Sequence, residues 1–134
     1  MPVPSNSKPD RKKAAHQWGL DAEAKAAHFL RGLGYTILAE RYRSMAGEID
    51  LLAFHDETLI IVEVKARQSH DDALWSVTPT KQKRLAQAAN AVLMEADKFT
   101  GLGDPARLNI RFDVIVITPE MPPAHLQNAW SVDF

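Results

Sequence analysis

The sequence predicts an α/β domain in which a mixed sheet is flanked by helices, in the order αβββαβ. Three observations carry this. Two alanine-rich segments repeat apolar residues at helical spacing. Between them lie two β-rich apolar runs separated only by a short polar turn. A further apolar run follows a Gly/Pro break after the second helical segment. Strands grouped before and after a helix call for a layered sheet whose faces are covered by the helices. The 134 residues fit one domain with a proper core.

Residues 1–10 (MPVPSNSKPD) hold three prolines and little apolar mass, and are read as a disordered lead-in to a single domain over residues 11–134. The first helix is expected from about Arg11 to Leu33, with Leu20, Ala24, Ala27 and Leu30 on one stripe beside Ala26, Phe29 and Leu33, and Gly34 as its C′ residue. A short strand from Tyr35 to Ala39 leads into a polar link, Glu40-Arg41-Tyr42-Arg43-Ser44. Gly47–Phe54 and Leu59–Arg67 form a hairpin through His55-Asp56-Glu57-Thr58, followed by a polar loop over residues 68–73. Thr78 or Thr80 can cap the second helix, with Pro79 in its first turn and its end near Phe99. Its apolar positions are Leu85, Ala88, Ala89, Val92, Leu93 and Ala96. Gly101, Gly103 and Pro105 break it before a strand from Leu108 to Ile117. That strand stops at Pro119, and Leu126–Val132 can add an edge strand.

Composition narrows the function. With no cysteine, disulfides, thiolate zinc sites and thiol catalysis are excluded. No apolar segment follows the basic start, and no run reaches the ~18 apolar residues of a membrane span, so a cytoplasmic protein is expected. The net charge of −1 gives no global attraction to nucleic acid, so any such contact needs a local basic patch.

The hairpin carries the chemistry. If it turns about Asp56–Glu57, paired residues have numbers summing to 113, so Asp50 faces Glu63 and Glu48 faces Lys65. Alternation puts Glu48, Asp50, Glu63 and Lys65 on one face and Ile49, Leu51, Ala53, Ile60, Val62 and Val64 on the other. Two carboxylates opposed across a ladder repel, and burying them unpaired is costly. A hard cation such as Mg²⁺ (or Mn²⁺) removes the conflict by taking both carboxylates with water and phosphate oxygens. Lys65 stands where an ammonium can stabilise an oxyanion or orient a water. An ordinary salt-bridge ladder, with Lys65 neutralising Glu63 or Glu48, fits the same spacing.

Glu23 sits on the first helix's apolar stripe and is read as a third acid packed near the hairpin. Arg41, Arg43, Arg67, Lys81, Lys83 and Arg84 cluster on both sides of the carboxylates and are the candidate phosphate contacts. Lys81, Lys83 and Arg84 stand near a helix N-terminus, where the dipole disfavours cations by ~0.3–1 kcal/mol and a bound phosphate would reverse that cost. His16, His28, His55, His70 and His125 have no partner at metal-ligand or triad spacing. Trp18, Trp75 and Trp130 are read as packing residues, Trp75 with the least support.

The combination Gly47-Glu48-Ile49-Asp50, Val62-Glu63-Val64-Lys65-Ala66-Arg67, Lys81-Gln82 and Arg111-Phe112-Asp113-Val114 resembles a known pattern. It is that of the uncharacterised YraN-type bacterial family, within the restriction-endonuclease-like PD-(D/E)xK superfamily, and similar to archaeal Holliday-junction resolvases. The likeness runs from about His16 to Val132. It implies a restriction-endonuclease-like sandwich in which Asp50 and Glu63 are metal ligands with the Val64 carbonyl between them. It further implies that Lys65 is the catalytic lysine, Glu23 the helix-borne acid and Gln82 the polar residue of the following helix. DNA as partner and a homodimer follow from the same resemblance. Ile49 stands where the superfamily often has proline, and the YraN-type pattern itself has isoleucine there. Three functions fit: a metal-dependent nuclease on branched or structured DNA, a nucleic-acid-binding domain that does not cleave, and a protein-interaction domain. The last draws on the near-neutral charge.

Overall fold

The computed structural model describes residues 7–68 and 77–131, with side chains described from residue 11 onward. The elements are α1 (Ser7–Gly32), β1 (Thr36–Ser44), β2 (Gly47–His55), β3 (Thr58–Ala66), α2 (Pro79–Met94), β4 (Asn109–Ile117) and β5 (Ala124–Trp130). They form one five-stranded sheet in the order β1-β2-β3-β4-β5. Only β3 and β4 run parallel, in register from Thr58↔Asn109 to Ala66↔Ile117, and the crossover between them contains α2. The expected mixed α/β sandwich is therefore what the chain forms. No helix among the described residues is long and apolar enough to cross a membrane.

The two helices cover opposite faces. Ala22, Ala26, Ala27 and Leu30 of α1 pack on Leu51, Ala53, Ile60, Val62 and Ile115. Leu85, Ala88, Ala89 and Val92 of α2 pack on Leu52, Leu59, Ile61, Phe112 and Val114. These sets alternate along β2, β3 and β4, as buried strands require. Trp130 is buried, stacked on Phe112 at 5.0 Å, as a packing residue should be.

Several expected boundaries move. α1 starts at Ser7, so the end of the expected lead-in is helical backbone. Its buried stripe includes Ala22, whereas Ala24 and Leu33 are exposed. The polar link 40–44 is strand: β1 is an edge strand, where exposed charged residues are tolerated. Residues 1–6, the stretch 69–76 with His70 and Trp75, and Val132 lie outside the described residues.

The hairpin register is the expected one, from His55↔Thr58 to Leu51↔Val62. Asp56 and Glu57 both have positive φ, 48° and 55°, which a two-residue turn of the mirror-image type needs to match strand twist. Asn109 N–H donates to the Glu57 carbonyl at 2.9 Å, tying the turn to the start of β4. One face assignment is overturned. Ile49 packs with Leu52 on the α2 side instead of with Leu51, so alternation breaks between them, at Asp50. The neighbouring strand breaks in step: Ala39 and Tyr42 share the α2 side, and Arg41 between them has φ 57°. Together the two breaks turn Arg41 and Asp50 out of the ordinary pleat.

On the α1 side, β4 and β5 are pinned by a polar cluster. Asp113, fully buried, accepts two bonds from Arg111, through Nε and Nη2, both at 2.9 Å. It also accepts from Asn128 N–H at 2.9 Å and bonds His125 Nε2 at 2.7 Å. Arg111 Nη2 further donates to Tyr35 Oη, and Tyr35 stacks on His55 at 4.5 Å. His125, expected to be without a partner, therefore has one, because β5 brings it across from a position 12 residues away.

Burial works against the charged form of Asp113, but the bonds from His125, Arg111 and Asn128 outweigh it and hold its carboxyl below the usual range. A depressed native value adds stability above the ordinary Asp pKa of ~3.9, and that stability disappears as pH falls through the native value. Asp113→Asn leaves the Arg111 charge without its carboxylate. It is expected to lower unfolding free energy by about 3 kcal/mol at pH 7. In urea titrations the deficit should stay constant down to about pH 5 and shrink below ~4.

Candidate metal centre

The two opposed strands deliver the expected pair. Asp50 and Glu63 are hydrogen-bonded carboxyl to carboxyl, and Glu63 is buried. Beyond Leu51↔Val62, Val64 N–H donates to Asp50 Oδ2 at 2.9 Å. Burial pushes the Asp50 carboxyl up to about 8, reinforced by the bond to Glu63 and its charge, with Val64 N–H acting the other way. For Glu63, burial is outweighed by the bonds from Asp50 and Lys81 and by the charge of Lys65, which lower its pKa. The two carboxyls therefore titrate as a pair, and burial together with their mutual repulsion favours one shared proton between them.

Both carboxyls line an open cleft of about 320 Å³ with Val64, Lys65, Arg67, Val77, Thr78 and Lys81. Lys65 is half-buried, and its pKa is lowered by burial and by the charges of Arg67 and Lys81, against the pull of Glu63. The cleft's far wall is the N-terminus of α2. Thr78 is the cap, its Oγ1 accepting Lys81 N–H at 3.2 Å, and Pro79 fills the first turn. Of the two threonines considered, Thr78 takes the role.

The other expected site residues divide by position. Gln82 reaches the cleft's edge, where its Nε2 donates to the Val77 carbonyl at 2.8 Å and steadies the strand-to-helix entry. Glu23 is buried on α1, 7% exposed, but is held by Arg41 Nε at 3.1 Å. Among the described residues no group of three or more His, Asp or Glu converges on one point, so the acids form a pair with Glu23 set apart. Glu48 pairs with Arg43 at 3.7 Å instead of with Lys65.

The six basic residues also separate. Lys81 forms an ion pair with Glu63, so the cation at the helix start is balanced from within the protein. Arg41 serves Glu23. Arg67 is exposed at the cleft, its backbone N–H bonded to the Ile117 carbonyl. Arg84, one turn beyond Lys81, lies over Gly47. Lys83 is exposed and turned to another side of the helix.

Sequence reasoning had no means of pairing Lys81 with Glu63 across 18 residues, or of seeing the break at Arg41 and Asp50. The Asp113 cluster did leave a trace. A lone aspartate inside the apolar run Ile110–Ile117 must find a buried partner, and Arg111 lies two residues away on the same face. A larger hollow of about 520 Å³ between Phe29 of α1 and Thr118, Pro119 and Pro123 is apolar and has no carboxylate in its lining.

Asp50→Asn keeps an acceptor for Val64 N–H and offers Glu63 an N–H, which removes the buried like-charge conflict. Because the native Asp50 value is raised, the folded state holds a proton that the unfolded state has lost. Wild-type stability therefore falls as pH rises from ~4 towards about 8. In metal-free buffer the variant is expected to be more stable than wild type by about 1 kcal/mol near pH 8. The gain, read by urea unfolding, should fade as pH approaches 4.

A family model described as "Uncharacterised protein family UPF0102" matches residues 22–117, which include both carboxyls, Glu23, Lys65, Lys81 and Asp113. A UPF0102 protein of Bradyrhizobium sp. (strain ORS 278) is 44% identical over 129 residues, covering 96% of this chain and 87% of its own. One from Rhodopseudomonas palustris (strain BisB18) is 43% identical over 129 residues, 96% of this chain and 90% of its own. One from Bradyrhizobium diazoefficiens is 40% identical over 127 residues, 95% and 90% of the two chains.

Proposed function

The chain belongs to the uncharacterised protein family UPF0102, and from the chemistry of its cleft we propose that it is a metal-dependent nuclease acting on branched or structured DNA. The observation that carries this is the Asp50–Glu63 pair, two carboxyls pressed together in an open cleft beside Lys65. A fold gains nothing from that conflict on its own, and the donor set suits a hard divalent cation in place of the shared proton.

Asp50 and Glu63 would hold Mg²⁺ or Mn²⁺, with the Val64 carbonyl as the third protein ligand. The ion's chemistry there is to polarise a phosphoryl oxygen and to lower the pKa of a bound water. The chain's own residues do the rest. Lys65, with its depressed pKa and position two residues from Glu63, orients the attacking water or neutralises the developing charge. Arg67 and Lys81 at the cleft rim, with Arg84 beyond, steer the backbone phosphates. Gln82 and Thr78 keep the wall of the cleft in place.

One observation favours a second reading, a nucleic-acid-binding domain that does not cleave. Lys81 already neutralises Glu63 and Arg41 neutralises Glu23, so the site can persist as internal ion pairs.

Calorimetric titration with Mn²⁺ beside a cleavage assay on branched DNA separates the two. Wild type should bind the ion and cleave, and Asp50→Asn and Glu63→Gln should lose both. Lys65→Ala should keep ion binding and lose cleavage by about 10²–10³. DNA binding with no Mn²⁺ uptake by wild type would decide for the second reading.

A further inference from the structure

The turn joining β1 to β2 presents a feature that the cleft's chemistry does not use. Ser44 is buried, and its Oγ donates to the Gly47 carbonyl at 2.7 Å while accepting Ala46 N–H at 3.1 Å. Ala46 packs against the α2-side core, and Gly47 adopts φ 143°. With the residues on both sides locked inward, Met45 is left at the tip, 79% exposed. A long apolar side chain is thus held out in water by a rigid turn.

Its surroundings hold two arginines and one carboxylate, Glu48, which lies 3.7 Å from Arg43. Arg43, on the strand leading into the turn, has a side chain 85% exposed. Arg84 lies over Gly47, where a Cβ would meet its Cδ at 3.4 Å. Arg84 and Lys81 are three residues apart on α2 and so share a helix face, and Lys81 contacts Glu63. A line of cations therefore runs from the carboxyl pair to the foot of the turn. An apolar tip beside guanidinium groups suits stacked bases bordered by phosphates, since apolar side chains wedge between base steps while cations hold the backbone. The spacing is also suitable. Met45 lies five positions before Asp50, with strand only from Gly47 onward, so the two are at most roughly 16 Å apart, or up to about five nucleotides at 3.4 Å each.

The geometry points to the β1–β2 turn as a wedge in which Met45 enters a base step of DNA while Arg43 and Arg84 hold the flanking phosphates. Resting on the nuclease reading, it gives the substrate class: DNA with a step that opens readily, such as one at a branch point, a few nucleotides from the phosphodiester in the cleft.

The test uses the full chain in EDTA, so that neither metal binding nor cleavage enters. 2-Aminopurine is placed at successive positions in a three-way DNA junction, and fluorescence reports unstacking. Wild type should bind and brighten the probe at one step. Met45→Ala should bind with similar affinity and lose the brightening, and Met45→Leu should keep it. Arg84→Ala should reduce the slope of log affinity against log salt by about one. Equal brightening with wild type and Met45→Ala would overturn the wedge, as would binding without brightening, or no DNA binding by wild type. Cleavage by Met45→Ala in Mn²⁺ would show that the nuclease reading survives such a failure. Brightening without cleavage would keep the wedge and remove the nuclease.

Discussion

The pairing of β2 with β3 in one register is the constraint on which the rest of this structure depends. A shift of one residue would send every side chain of a strand to the opposite face. Here that would drive Leu52 and Leu59 away from α2, and Leu51 and Ile60 away from α1. With both faces buried the register has no alternative, and the two-residue turn at Asp56–Glu57 agrees with it. The same pairing brings Asp50 against Glu63. The two carboxyls are forced together by the packing of their neighbours, and their own interaction opposes it.

Two acidic centres on one sheet differ in how their charge is answered. Asp113 is surrounded by donors from Arg111, His125 and Asn128, and its charge is fully answered. It joins β5 to β4 and leaves no lone pair directed to a cleft. Asp50 and Glu63 have the opposite character. One of them must carry a proton, their cations come from Lys81 and Lys65 at the rim, and the space beside them is open.

The break in alternation at Arg41 and Asp50 links this site to the other side of the sheet. With Arg41 in a left-handed conformation, its guanidinium reaches Glu23 on α1, while Asp50 in the adjacent strand reaches Glu63 and Val64. Glu23 is thus paired with Arg41, and its charge is among those that raise the Asp50 carboxyl.

The sequence by itself determined the element order, the hairpin and its register, and the opposition of Asp50 to Glu63 beside Lys65. Each rests on local periodicity or turn length, which adjacent residues encode. It also marked Pro79 and offered Thr78 or Thr80 as the cap at the start of α2, because capping is a property of a few neighbouring residues, and the structure selects Thr78. Tertiary structure alone decided which charges neutralise which. Lys81 meets Glu63, Arg41 meets Glu23 and His125 meets Asp113 because the sheet and helices bring distant positions together. Residue spacing carries no record of those distances. The placement of Ile49 on the α2 side had the same origin. Its strand obeys period two by pattern, and only the matched distortion of β1 and β2 around Arg41 and Asp50 carries it to the other face.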